Sequence, residues 1–186
     1  DLLDQAEREV YRIAEQQLRG AGPVKIADLL SAATQKIDDL FQSGERITGA
    51  STGFYDFDDM TSGLQSGDLV IVAGRPSMGK TTFAMNVAEN VAVNGKSVLV
   101  FSLEMPGEHL TMRMLSSLGR INQHNVRTGN LTDDDWPRIS SAVSMLADVP
   151  LYIDDTPALS PSELRARARR VARENNGLDL IVIDYL

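Results

Sequence analysis

The sequence contains no cysteine, which excludes disulfides and thiolate metal sites and fits a reducing cytosol. It has no run of 18 apolar residues, so no stretch reaches membrane-spanning length, and no secretory signal pattern opens it. Basic residues are scarce: 18 Lys and Arg stand against 26 Asp and Glu, for a net charge of −8. Phosphate contacts dominate nucleic-acid affinity, so any DNA-binding surface must be local or come from residues beyond these. There is no initiating Met. The chain opens at Asp1 and closes at Tyr185-Leu186 directly behind an apolar run, so both ends are expected to be cut.

What remains is ample for folding. The 186 residues are 42% apolar, enough for one domain with a substantial core and an added element. Residues 1–18 read as an amphipathic helix, with Leu2, Leu3, Ala6, Val10, Ile13 and Ala14 on one arc. Gly20-Ala21-Gly22-Pro23 breaks it. A second helical pattern follows, built on Ile26, Leu29, Leu30, Ala33, Ile37, Leu40 and Phe41 and ending near Gly44. Residues 1–44 are therefore expected to form a helical appendage ahead of a main domain at 45–186.

From residue 67 the texture changes. Short apolar runs at 69–73, 98–103, 151–153 and 180–183 alternate with helical patterns at about 80–93, 106–118, 134–147 and 161–175. This alternation predicts an α/β fold with a parallel sheet and crossover helices. The near-continuous apolar strands predict a sheet covered on both faces. Ser160-Pro161-Ser162-Glu163 marks one helix start with a capping box. Pro137 falls in the first turn of another, which begins after Thr132.

Residues 74–81, GRPSMGKT, match the Walker A pattern, with a strand-like LVIVA before and a helix-like TTFAMNVAENV after. Gly74 and Gly79 supply backbone freedom, so the loop can wrap phosphate with N–H groups, and the helix behind adds its positive end. Lys80 reaches the β- and γ-phosphates and the Thr81 hydroxyl ligates Mg²⁺. A glycine turn with a chance lysine is the alternative, and both flanks argue against it. The nucleotide-binding set is Gly74, Arg75, Pro76, Ser77, Met78, Gly79, Lys80, Thr81 and Thr82.

A metal-holding carboxylate should end a buried strand. Asp184, in IVIDY at 181–185, fits; Asp154-Asp155, in YIDD, is the rival, ranked second because its apolar run is shorter. Tyr185 follows Asp184 where many P-loop enzymes place a catalytic Glu. The base that orients the attacking water is then expected at Glu104, in FSLEM at 101–105, because parallel strands bring their C-terminal ends to one edge. The alternative for Glu104 is a surface residue at a helix start. Arg165, Arg169, Arg170 and Arg173 form a basic cluster best explained as a solvated helix face; a subunit or phosphate contact is the other reading. His109 and His124 lack partners at metal-ligand spacing.

RPSMGKTT, FSLEM, RTGNL, YIDD and IDYL, in this order and spacing, resemble replicative DNA helicases of the DnaB family over residues 45–186. The preceding helices resemble that family's linker region. The resemblance implies a RecA-like P-loop ATPase core. It implies a homo-oligomer, usually a hexamer, that hydrolyses ATP with Mg²⁺ between subunits while moving 5′→3′ on single-stranded DNA. Residues 1–18 would then dock on a neighbouring motor domain, the location would be cytoplasmic, and primase and a helicase loader would be partners. In the family the arginine finger and DNA loops follow the Walker B strand. These residues alone are therefore expected to bind nucleotide without unwinding DNA. A RecA-like recombinase or clock-type homologue shares the phosphate chemistry, and a nucleotide-binding or oligomerisation module without turnover is a further alternative.

Overall fold

A computed structural model of the chain describes residues 24–44 and 46–185. The chain divides into two compact units, 1–45 and 46–186. In the first, helix α1 (Ile26–Ser43) stops at Gly44, whose φ of 64° and N–H bond to the Leu40 carbonyl make a left-handed cap that glycine adopts at no Cβ cost. No residue of α1 is buried, and Ile26, Ile37 and Phe41 are 72%, 67% and 85% exposed. The helix expected at 1–18 lies outside the described residues.

The second unit holds helices α2 (Tyr55–Thr61), α3 (Lys80–Val93), α4 (Gly107–Gly119), α5 (Gln123–Thr128), α6 (Asp135–Ala147) and α7 (Pro161–Glu174). Among them run strands β1 (Val98–Ser102), β2 (Leu151–Asp154) and β3 (Leu180–Asp184), all parallel in the order β2-β1-β3. Every residue of β1 is buried. Its side chains alternate between faces: Val98 and Val100 join Ala88, Val91, Leu110 and Met114 from α3 and α4, while Leu99 and Phe101 join Ala168 and Val171 from α7. Burial on both faces is why the strand reads as an unbroken apolar run. The capping box at α7 forms as the sequence predicts, with Ser160 Oγ accepting from Glu163 N and Glu163 Oε2 accepting from Ser160 N at 2.9 Å.

The expected strand at 69–73 is absent among the described residues. This stretch is extended chain outside any ladder, with Leu69 86% and Ile71 78% exposed. A β-branched run becomes a strand only when a neighbour accepts and donates its backbone hydrogen bonds. β1 has both of its neighbours, and the run pairs with neither edge strand, β2 or β3. The short helices α2 and α5 have no sequence-level expectation behind them. In hindsight Asn122 signals α5, since its side chain accepts from His124 N as an N-cap.

Residues 46–64 are tied to α3 by a buried polar knot. The Asp58 carboxylate accepts from the backbone N–H groups of Thr52 and Gly53 and from the hydroxyls of Ser51 and Thr52, at 2.7–3.2 Å. Burial alone would raise its pKa, yet these hydrogen bonds hold it below the ordinary value. Asn90 of α3 donates to the Thr52 carbonyl at 2.8 Å, and Phe83 stacks on Phe54 with centroids 5.0 Å apart. Gly53 sits inside this knot at φ 80°, where an added Cβ would collide with the Asn90 amide. Gly53→Ala is expected to lower stability by about 2–3 kcal/mol, combining left-handed strain with a displaced Asn90. Thermal unfolding checks this; an unchanged midpoint would show that the knot yields freely.

Candidate functional site

The short connection Asn94–Ser97 turns the chain from the end of α3 into β1, so α3 runs back across the sheet against the strand direction. The N-terminal end of α3, which carries the loop 74–79, therefore lies toward the C-terminal edge of the strands. This places the glycine-rich loop at the edge where β1 delivers Glu104 and β3 delivers Asp184.

Within the loop, the left-handed residues are Ser77 (φ 62°) and Gly79 (φ 87°). Gly79 meets the expectation of unusual backbone angles; Gly74 does not, since its φ is not positive. A Cβ at Gly74 would instead make ordinary contact with the Lys80 side chain at 3.5 Å. Lys80 opens α3 and its Nζ donates to the carbonyls of Gly74 at 2.9 Å and Arg75 at 3.3 Å. An ammonium has three donors, so the same group that braces the loop keeps one for an anion. Arg75, Pro76, Ser77, Met78, Gly79 and Thr82 are exposed and Thr81 is partly buried in the first turn of α3. The positive end of a 14-residue helix and its free N–H groups face that loop.

Asp184 ends β3 opposite Ser102 in the parallel register. It is 7% exposed, and its Oδ2 is buried without a hydrogen-bond partner. A buried carboxylate oxygen left unsatisfied is expensive unless something cationic or protic meets it, so Asp184 is suited to a metal or its water ligand. The rival YIDD acids are committed elsewhere. Asp154 takes Arg167 Nη1 on both oxygens, at 2.7 and 2.6 Å. Burial would raise its pKa, but the hydrogen bonds from Arg167 and Thr156 keep it lowered. Asp155 Oδ2 accepts from Gly107 N at the head of α4, at 2.8 Å. No group of three or more His, Asp or Glu side chains converges among the described residues.

Glu104 is exposed, in the turn between β1 and α4. Leu103 N, one residue before it, donates to the Asp184 carbonyl at 2.7 Å, so the backbone of the Glu104 turn is joined directly to the Asp184 strand. The fold therefore brings the loop, Glu104 and Asp184 to one edge.

The family described as "DnaB-like helicase C terminal domain" matches residues 49–186. The chain belongs to the DnaB-like helicase family. It is 52% identical, over its whole length, to the replicative DNA helicase DnaB of Buchnera aphidicola and 47% identical to the replicative DNA helicase DnaC of Bacillus subtilis. It spans 41% of the length of each of these relatives. Among solved structures it resembles one described as an ATPase domain, with a TM-score of 0.80 and 30% identity over 88% of this chain and 58% of that one. A second is the structure titled "The Structure Of A DnaB-Like Replicative Helicase And Its Interactions With Primase", with a TM-score of 0.77 and 28% identity over 96% of this chain and 43% of that one. The parallel α/β fold expected from the strand–helix alternation, and the RecA-like core implied by the resemblance, thus match the fold of DnaB-like ATPase domains.

Sequence reasoning gave Arg167 no role of its own, although it lies within the basic stretch 165–173 and ties α7 to Asp154 of β2 by an ion pair at 2.6 Å. Of the cluster itself, Arg170 meets Glu174 at 3.9 Å and Arg173 Nε donates to the Arg169 carbonyl. These contacts stay within α7, as a solvated helix face requires.

Proposed function

We propose that this chain is the nucleotide-binding part of a replicative DNA helicase. It binds Mg-ATP at residues 74–82, and in the longer protein hydrolysis drives 5′→3′ movement along single-stranded DNA and unwinding at the replication fork. The observation that carries this reading is the complete phosphate loop heading α3 at the sheet edge shared by Glu104 and Asp184. In it the loop N–H groups and Lys80 bind the phosphates, Thr81 and Asp184 hold the metal, and Glu104 takes a proton from the attacking water. The unsatisfied Asp184 oxygen supports Mg²⁺ as the ion. Bound magnesium would neutralise phosphate charge as the terminal group leaves.

The functional unit is a homo-oligomer, a hexamer by family, with ATP hydrolysed between subunits in the cytoplasm. Residues 1–18 and the ATP interface form the contacts; the uncovered apolar residues of α1 supply a second stripe that needs a partner. Single-stranded DNA, primase and a helicase loader are the partners. The family match disfavours a recombinase.

Lys80→Ala removes a charge-assisted phosphate contact and should weaken Mg-ATP binding by about 1.5–3 kcal/mol in calorimetry. Unchanged affinity would place the nucleotide elsewhere. Tight binding with no hydrolysis by the assembled full-length protein would favour a module without turnover.

A further inference from the structure

Glu104 has a peculiarity for a group asked to orient a water molecule. Among the described residues its carboxylate takes no hydrogen bond, so only the backbone of its turn decides where it stands. That turn is pinned at three points. The Ser102 hydroxyl, on a residue 1% exposed, donates to the Met105 carbonyl at 2.6 Å and accepts from Met105 N at 3.3 Å. It thus closes a loop around Leu103 and Glu104. Leu103 N is held by the Asp184 carbonyl at 2.7 Å. Gly107 N is held by Asp155 Oδ2 at 2.8 Å, from the end of β2 on the other side of β1. The approach is close but not crowded: a Cβ at Gly107 would make van der Waals contact with Asp155 Oδ2 and Ile153 Cγ2, at 3.4 Å each.

We propose that Ser102 and Asp155 are positioning residues that brace the turn 103–107 and so set Glu104 at the reacting water. This rests on Glu104 being the base. One pin, Leu103 to Asp184, is backbone to backbone and does not depend on a side chain; the other two are side chains and can be removed singly. Ser102 fixes the turn internally, and Asp155 fixes its exit into α4. Neither belongs to the phosphate loop or to the residues assigned to the metal, so each acts on the chemical step and not on binding. A displacement of about 1 Å in a catalytic group can cost about 100-fold in rate, which sets the scale available to such a brace.

The test uses the assembled full-length helicase with Ser102→Ala, Asp155→Ala and Asp155→Asn, each alone and combined with Glu104→Gln. Expected are falls in kcat of about tenfold or more for Ser102→Ala and Asp155→Ala, with KM and nucleotide affinity unchanged. Asp155→Asn keeps an oxygen to accept from Gly107 N and should stay near wild type. Because both residues act through Glu104, neither alanine variant should lower the residual rate of Glu104→Gln further. Full kcat in both alanine variants, or losses that multiply with that of Glu104→Gln, would overturn the brace while leaving the base assignment intact. Normal turnover by Glu104→Gln alone would instead sink the base assignment and the brace with it.

Discussion

Glu104→Gln in the full-length protein should bind Mg-ATP as tightly as wild type while its turnover falls by about 10²–10⁴, the usual worth of general-base help. Glutamine has the same shape but cannot accept the proton. Glu104 is exposed and lies outside the phosphate loop and the residues assigned to the metal, so binding energy and folding should be spared. Steady-state hydrolysis set beside calorimetric binding separates the two. Turnover within a few-fold of wild type would move the base to another residue. A parallel loss of affinity would make Glu104 part of the binding surface instead.

A second large effect is expected from Glu89, on the buried side of the same helix that opens with Lys80. It is 3% exposed and its Oε1 has no hydrogen-bond partner. Burial pushes its pKa from the ordinary 4.5 to about 7, with the Ser117 hydroxyl offsetting part of the rise. Below about pH 7 the folded protein therefore prefers the protonated acid. Stability from this group is complete below the unfolded value and is lost as pH climbs through about 7, a total of at most about 3 kcal/mol. Asp58 and Asp154 have lowered values, so they act in the opposite sense and only in acid. Glu89→Gln keeps the shape and cannot ionise. Urea unfolding at pH 5 to 8 should show wild type weakening while Glu89→Gln stays nearly flat. Parallel pH dependence in the two proteins would mean that Glu89 ionises freely and that its burial is relieved by motion of α3 against α4.

The sequence by itself determined the left-handed glycine at the head of α3, the strand–helix alternation, the capping box at Ser160 and the end of α1 at Gly44. Each of these depends on neighbours a few residues apart, where glycine angles, caps and periodicity are set locally. It also ranked Asp184 above Asp154, but only by the length of an apolar run. The tertiary structure adds a difference of another kind: Arg167, 13 residues away, occupies both oxygens of Asp154, whereas Asp184 Oδ2 is buried and unmet. Such pairing across elements leaves no periodic trace in a sequence. The run at 69–73 shows the converse, since β-propensity states only that residues would fit a ladder, while the ladder needs a partner strand. Glu89 was invisible for a similar reason. On a helix a single Glu reads as surface, and only the packing of α4 over α3 removes it from water. The brace on Glu104 likewise joins β1, β2 and β3, three segments separated by scores of residues, and only their common edge brings its parts together.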